Sequence, residues 1–218
     1  MFRNVIKQSP VLFFGLLSYI LIFTVVILLY DKLTIFYFVN SHFNPFFDQF
    51  FYYVTALGNG WTYSIIMLAM LFVNFRYVLI FFSALFVKTI VVQCLKHFVF
   101  PDHLRPYELV GNITGFHSVK GVDLLHYYSF PSGHSASIFC LAVLLSLIIK
   151  KNYLTLLFII IAIVSGYSRM YLSQHFSVDV YAGSIIGILT AYMSYWYFNI
   201  LQPAKLNRIG WIDKRISI

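Results

Sequence analysis

Long apolar runs alternate with short polar stretches along this chain of 218 residues. A helix needs about 20 apolar residues to cross a bilayer, and six runs approach or reach that length. They cover residues 11–30, 61–75 (extendable back to residue 55), 77–95, 132–149, 153–171 and 180–201. The pattern therefore predicts an all-α, polytopic membrane protein with about six transmembrane helices.

Between the first two runs, residues 33–54 read "LTIFYFVNSHFNPFFDQFFYYV". Phe and Tyr side chains favour the headgroup layer of a membrane. The segment is therefore predicted to be an interfacial helix, lying on the bilayer after the first span. No internal repeat or linker divides the sequence, so residues 1–218 are expected to form one domain.

Composition agrees with this assignment, because 61% of the residues are hydrophobic and only 10% are charged, against about 25% charged in soluble domains. The net charge of +8 could indicate nucleic acid. The basic residues form no stripe, however, so no nucleic-acid partner is expected. Cys94 and Cys140 lie in apolar runs and are expected to be buried thiols.

Basic residues are distributed unequally between the two ends of the predicted spans. Nine of the 15 share the side of the two termini; they are Arg3, Lys7, Arg76, Lys150, Lys151, Lys205, Arg208, Lys214 and Arg215. Positive residues accumulate on the cytoplasmic side, so both termini are predicted to be cytoplasmic. The basic tail at residues 205–215 is then expected to meet anionic headgroups.

Polar residues gather at the opposite ends of the last four spans. In an alternating bundle these ends lie on one face, here the outer one. The residues are Lys96, Arg105, His134, Arg169, His175 and Asp179. One lysine and two arginines favour an anion, and the planar guanidinium suits phosphate. This face is therefore predicted to hold a phosphate site.

The polar stretch "SFPSGHSAS", residues 129–137, opens the fourth span. With Pro131 at the helix start, free N–H groups of Ser132, Gly133 and His134 would point outward at the positive end of the helix dipole, where phosphate binds well. Gly133 would also let a ligand approach the backbone. The alternative is an ordinary helix start with Ser132 as N-cap, and this motif alone favours neither.

His175 and Asp179 are four residues apart, so on a helix they would share a face. A carboxylate on one ring nitrogen fixes the tautomer and frees the other nitrogen to attack phosphorus. His134 then remains to protonate the leaving oxygen as a general acid.

A metal site and a serine hydrolase are the competing interpretations. Four histidines crowd one loop; they are His97, His103, His117 and His126. They lack metal-ligand spacing, and three nearby cations would oppose a divalent ion. A nucleophilic Ser132 or Ser135 would need a nucleophile elbow, which the sequence lacks. Neither a metal nor a cofactor is expected.

Three motifs resemble the signature of type 2 phosphatidic acid phosphatases. They are Lys96…Arg105-Pro106, Pro131-Ser132-Gly133-His134 and Ser168-Arg169…His175…Asp179. The second and third match residue for residue. The first is longer, with eight residues after Lys96 where the family usually has six, so either the loop bulges near Pro101 or another lysine is equivalent. The motifs span residues 96–179, and the six-span layout is similar to that of membrane members.

The resemblance implies a phosphatase with a phosphohistidine intermediate and no metal. It implies His175 as the nucleophile, Asp179 as the residue that orients it, and His134 as acid and then base. The implied phosphate pocket consists of Lys96, Arg105, Ser132, Gly133 and Arg169, with a supporting hydrogen bond from Ser168.

The implied substrate is a membrane lipid phosphate, with undecaprenyl pyrophosphate first and lipid A or phosphatidylglycerophosphate as alternatives. The stretch "GVDLLHYYSFPSGH" is similar to relatives from Bacteroidetes-type Gram-negative bacteria, which implies an inner membrane with the site facing the periplasm. The loop at residues 107–129 is expected to cover the entrance. A non-catalytic protein that binds or transports lipid phosphates is the other hypothesis, but it would need neither His175 nor Asp179.

Lys88 lies inside the third span, about two turns from Lys96. An intramembrane lysine suggests a functional site by default. Alternatively, its side chain reaches the rim or pairs with Asp48 or Asp123.

The distribution of basic residues makes a prediction about topology. With Cys94 and Cys140 replaced by Ser, single cysteines at Lys151 and Lys120 should react with an impermeant thiol reagent from opposite sides of sealed cells. Lys120→Cys should react from outside. Reaction of both variants from the same side would contradict the six-span arrangement.

Overall fold

The structure, a computed structural model, describes residues 9–111, 113 and 115–201. Within these residues every regular element is helical, as the apolar pattern predicts. The α-helices are α1 Pro10–Leu29, α2 Lys32–Ser41, α3 Pro45–Val54, α4 Gly60–Ala69, α5 Phe75–Cys94, α6 Pro106–Val110, α7 Gly133–Ile149, α8 Asn152–Tyr171 and α9 Ser177–Trp196. The predicted basic tail at residues 205–215 lies outside the described residues.

Several of these helices could span a membrane. By length and composition α1, α8 and the stretch Phe75–Val99, which begins with α5, meet the requirement, and the bent pair Pro45–Gly58 and Gly60–Phe72 would add a fourth span. The two remaining helices of the bundle are α7, with 17 residues, and α9, with 20. Glycine, serine and threonine make α9 less apolar, and these small residues suit close contact between helices rather than contact with lipid.

The aromatic segment after α1 forms two helices rather than the single interfacial helix predicted. Asp31 accepts hydrogen bonds from the first amides of α2. Asn44 starts a new helix, because its side chain caps α3 and Pro45 takes the first helical position. The chain then passes through the 3₁₀ turn Thr55–Gly58 and bends by 53° into α4. The second predicted span therefore does not extend back to residue 55 as one straight helix.

The core of the bundle is built around α7. Phe139 and Leu144 of α7 are fully buried and belong to one apolar cluster with residues of α1, α4, α5, α8 and α9. A helix that is apolar on all sides suits such a central position. Cys140 of α7 is buried as predicted, whereas Cys94 is exposed because it lies on a face of α5 that the other helices leave uncovered.

Helix α9 lies so close to α7 that two of its glycines have no room for a side chain. A Cβ on Gly183 would lie 2.3 Å from the carbonyl oxygen of Ser132, and a Cβ on Gly187 would lie 2.2 Å from that of Ala136. Two small residues four positions apart allow such an approach between membrane helices. At the polar end of the pair, the N–H of Ser132 donates to the carbonyl oxygen of Asp179 at 2.9 Å.

The close approach predicts that Gly183→Ala destabilises the protein. Because the new methyl group would meet a backbone carbonyl, which cannot rotate away, α9 must shift, at a cost of about 1–3 kcal/mol. The measurement is the unfolding temperature in detergent. Gly166→Ala in α8 is the matched control, since its Cβ would lie 3.4 Å from the nearest atom, an ordinary contact. Equal unfolding temperatures for the two variants would contradict the argument.

Candidate active site

Three parts of the chain converge at the polar end of the α7–α9 pair. They are the loop that follows α5, the start of α7, and the turn between α8 and α9. At their centre is His175, which is 2% exposed. The structure thus brings together predicted site residues that are up to 83 positions apart, from Lys96 to Asp179.

The sequence spacing suggested that His175 and Asp179 share one face of a helix. In the structure, the pair is formed at the start of a helix instead. His175 lies in the turn before α9, and Asp179 lies in its first turn. Asp179 Oδ2 reaches back, accepting a hydrogen bond from Phe176 N–H at 2.9 Å. The same oxygen lies 3.4 Å from His175 Nδ1. The carboxylate therefore contacts one ring nitrogen, and the other nitrogen, Nε2, is turned away from it.

Ser129 adds a contact that sequence reasoning missed. Its hydroxyl donates to Asp179 Oδ2 at 2.5 Å and lies 3.5 Å from His175 Nδ1. The residue opens the polar stretch "SFPSGH", so its position beside a motif was the available signal. With Phe176 N–H, this hydroxyl fixes the carboxylate and, through it, the imidazole.

Arg105 lies at the other nitrogen of the imidazole. Its Nη1 is 3.5 Å from His175 Nε2. The guanidinium is held in place by backbone carbonyls, because Nε donates to Tyr127 O at 2.9 Å and Nη1 donates to Gln174 O at 3.0 Å. The nitrogen that faces away from Asp179 therefore faces a buried cation.

Arg169 is joined to the same cluster by Gln174. The Gln174 Oε1 atom lies 3.4 Å from both Arg169 Nη2 and Arg105 Nη1. Arg169 Nη1 donates to Thr55 Oγ1 at 2.6 Å, and its buried Nε has no hydrogen-bond partner among the residues that the structure describes. Sequence reasoning missed both Gln174 and Thr55, since neither residue type is distinctive and Thr55 is 114 positions from Arg169.

Lys96 reaches the cluster despite the longer first motif. Residues Leu95–Val99 form a π turn, and a π turn accommodates an extra residue. This turn contains Lys96 and lies within the longer first motif. Lys96 Nζ donates to Tyr128 O at 2.5 Å, and its charge acts on His175.

The charges of the site are unbalanced. Within the described chain, none of the three cations forms an ion pair with a carboxylate. Burial, followed by the positive fields of Arg105, Arg169 and Lys96, holds the pKa of the His175 imidazole well below its usual value. The imidazole is therefore neutral at pH 7, with an electron pair available on Nε2. An anion bound here would compensate several buried positive charges.

The start of α7 differs from the predicted cradle of three free amides. The N–H of Ser132 is used by Asp179 O, and its hydroxyl caps α7 by accepting from Ser135 N–H at 3.3 Å. Ser132 thus matches the alternative interpretation, an ordinary N-cap. Gly133 and His134 occupy the first turn, where backbone N–H groups have no acceptor within the helix, so two amides rather than three can meet a ligand.

His134 brings a second imidazole to the cluster. It is close enough to Arg169 and His175 to interact with them electrostatically, and its Nε2 lies 2.5 Å from Asn59 Oδ1. Ser168 was expected to add a supporting hydrogen bond to the site. Its hydroxyl donates to Ser165 O of its own helix at 2.6 Å.

The four loop histidines are held apart by separate partners. The partners are Asp48 for His117, Glu108 for His126, Tyr128 for His97, and Phe130 for His103. In the part of the chain that the structure describes, no group of three or more His, Cys, Asp and Glu residues could hold a metal ion. The loop itself lies against the site, since Gln174 Nε2 donates to Asp123 O at 2.9 Å.

Lys88 follows neither of the alternatives given for it. It is 6% exposed, so it does not reach the rim, and it pairs with neither Asp48 nor Asp123. Its Nζ donates to Ser137 Oγ at 2.7 Å, and that hydroxyl donates to Gly133 O at 3.0 Å. The ammonium group thus supports the first turn of α7.

Fold and site together define a class of protein, a polytopic membrane protein with a buried, neutral histidine among cations. The PAP2 superfamily model matches residues 77–202, a range that contains His175, Asp179 and the three cations. The chain belongs to the PAP2 superfamily.

Relatives and a solved structure agree with this assignment. The chain is 35% identical over 69 residues to a lipid A 4'-phosphatase of Bacteroides thetaiotaomicron, covering 32% of this chain and 31% of the relative. It is 35% identical over 109 residues to an undecaprenyl-diphosphatase of Sulfolobus acidocaldarius, covering 50% of each chain. These matches thus span no more than half of the length of either relative. The crystal structure of Aquifex aeolicus LpxE is similar with a TM-score of 0.64 and 30% identity, over 76% of this chain and 95% of that one.

Proposed function

We propose that this protein hydrolyses a phosphate or pyrophosphate group of a membrane lipid through a phosphohistidine intermediate, without a metal ion. The arrangement of His175 is the observation that carries the proposal. Its Nδ1 lies 3.4 Å from Asp179 Oδ2, and its Nε2 lies 3.5 Å from Arg105 Nη1. A phosphoryl group bound by this guanidinium would place its phosphorus beside the free electron pair of Nε2.

In the first step, Nε2 of His175 attacks phosphorus and forms an N–P bond. The bond from phosphorus to the leaving oxygen breaks, and His134 donates a proton to that oxygen. Asp179 keeps the Nδ1 hydrogen of His175 in place and stabilises the positive ring that forms during attack. In the second step, water attacks phosphorus while His134 accepts its proton; the N–P bond breaks, its electron pair returns to Nε2 of His175, and inorganic phosphate leaves.

The phosphate pocket consists of Lys96, Arg105 and Arg169 together with the amides of Gly133 and His134. Negative charge spreads over the oxygens of the transferring phosphoryl group, and fixed donors stabilise it without reorganisation. The three cations take the place that Mg²⁺ has in kinases. A Cβ on Gly133 would lie 3.7 Å from Val92, so helix packing does not require glycine there, whereas close approach of a ligand would favour it.

The site faces the outer side of the cytoplasmic membrane in this proposal, and both termini are cytoplasmic. The support is the unequal distribution of basic residues. In a Gram-negative cell the site would face the periplasm, where the tail of the substrate stays in the bilayer and its phosphate reaches the pocket.

The mechanism predicts that purified protein releases inorganic phosphate from a lipid phosphate in excess EDTA. His175→Ala should lower release by at least about 10³-fold, as expected for loss of a nucleophile. His42→Ala is the matched control, because this exposed histidine bonds only to residues of α2, and its activity should stay unchanged. Retained activity of His175→Ala would exclude the assigned nucleophile, and dependence on an added metal would exclude the metal-free mechanism.

The first choice of substrate is undecaprenyl pyrophosphate. Three unpaired cations suit the high charge of a diphosphate, and one relative is named an undecaprenyl-diphosphatase. Lipid A is the second candidate, favoured by the relative named a lipid A 4'-phosphatase.

A comparison of substrates in one detergent tests this choice. We expect kcat/KM for undecaprenyl pyrophosphate to exceed that for lipid A, phosphatidylglycerophosphate and phosphatidic acid by tenfold or more, which corresponds to about 1.4 kcal/mol of transition-state binding. A kcat/KM for lipid A that exceeds the value for undecaprenyl pyrophosphate by tenfold would assign lipid A as the substrate instead. Equal hydrolysis of a water-soluble phosphate ester would contradict a lipid substrate altogether.

A further inference from the structure

The break between α3 and α4, residues 55–59, ends at Asn59, whose side chain does not cap the helix that it starts. Asn59 occupies the N-cap position of α4, with extended backbone angles (φ −70°, ψ 150°), yet it makes no side-chain cap hydrogen bond. Asn44 and Asn74, at the same position of α3 and α5, both cap their helices. Omission of such a cap destabilises the helix start, so the Asn59 side chain is held elsewhere against its local preference.

The side chain of Asn59 points to the second imidazole of the site. Its Oδ1 lies 2.5 Å from His134 Nε2. An amide oxygen can only accept a hydrogen bond, so Nε2 carries the hydrogen. The nitrogen of His134 that remains to give and receive a proton is then Nδ1.

The residues beside Asn59 contact the site as well. A Cβ on Gly58 would lie 3.0 Å from His134 O and 3.2 Å from its Cβ, so the break packs closely against His134. Thr55 Oγ1, at the other end of the 3₁₀ turn, accepts from Arg169 Nη1 at 2.6 Å. One short segment therefore contacts both the proposed acid and a proposed phosphate-binding cation.

We propose that Asn59 is a positioning residue for the general acid, and that the break at residues 55–59 forms the leaving-group side of the site. This inference rests on the proposed function. Asn59 keeps one hydrogen on His134 Nε2 throughout the cycle. In the first step the proton on Nδ1 passes to the leaving oxygen, and in the second step a proton from water returns to Nδ1. The amide thus holds the ring in the tautomer that the acid requires.

Two phosphates with the same tail and different leaving groups test the role of Asn59. Dodecyl phosphate needs a proton on its alkoxide, whereas a dodecyl-substituted nitrophenyl phosphate leaves as a stable phenolate and needs little help. Asn59→Ala should lower kcat/KM for the alkyl ester by about 10²-fold, the usual contribution of a general acid. For the nitrophenyl ester the loss should stay below about tenfold. Equal losses on both esters would reduce Asn59 to a structural role and overturn the proposal.

Asn59→Asp is the conservative variant, because it keeps the accepting oxygen. It should recover most of the activity on the alkyl ester and move the basic limb of its kcat/KM profile to higher pH, since a carboxylate favours the imidazolium form. A loss as large as that of Asn59→Ala would mean that the amide nitrogen, not the oxygen, faces His134, and would also overturn the proposal.

Asn44→Ala is the matched control, because Asn44 Oδ1 caps its own helix by accepting from Phe47 N–H at 3.0 Å. This variant should lower the unfolding temperature without changing the ratio of activities on the two esters. Asn59→Ala should change that ratio without lowering the unfolding temperature. His175→Ala separates this inference from the proposed function. If it retains activity on both esters, the proposed function fails; if it is inactive while Asn59→Ala is unaffected, only the role of Asn59 fails.

Discussion

The close approach of α7 and α9 is the constraint on which the rest of the site depends. Gly183 and Gly187 let the backbone of α9 lie against the carbonyls of Ser132 and Ala136, and the N–H of Ser132 then bonds to Asp179 O. This contact fixes the two polar helix starts relative to each other. One start carries the amides and imidazole of the "SGH" sequence, and the other carries the carboxylate that orients His175. In the absence of a hydrophobic force between helices in lipid, van der Waals packing of small residues supplies the attraction.

The second feature on which the site depends is its distribution of charge. Three cations are gathered around one imidazole with Asp179 as the nearby carboxylate, and backbone carbonyls and Gln174 hold the guanidinium groups in place. Burial and these fields keep the pKa of His175 low, so the ring remains neutral and nucleophilic while the surroundings stay positive. In the proposed mechanism, this one arrangement both binds the phosphate group and keeps His175 in the form that attacks it. Its cost is a set of partly compensated buried charges, which binding of an anion relieves.

The break between α3 and α4 illustrates how local rules yield to the site. An asparagine at an N-cap ordinarily caps the helix that it starts, and Asn44 does so. Asn59 has the backbone of a cap and gives its side chain to His134 instead. Such departures from local preference occur where function imposes a requirement. The 53° bend also lets Thr55 contact Arg169 and Asn59 contact His134.

The sequence by itself determined the helical class, the places of the six apolar helices and the residue types of the site, because apolar periodicity and motif chemistry are local properties. It also placed Lys96, Arg105, His134, Arg169, His175 and Asp179 at one end of the bundle. Only the tertiary structure decided which atoms meet. Ser129, Gln174, Thr55 and Asn59 are ordinary residues whose importance arises from contacts across up to 114 positions. The sequence left open whether the amide of Ser132 is free, and it suggested that His175 shares a helix with Asp179. In the structure this amide donates to Asp179 O, and His175 lies in the turn before α9. Backbone groups at helix ends find their partners in neighbouring elements, and the sequence of one element does not specify them.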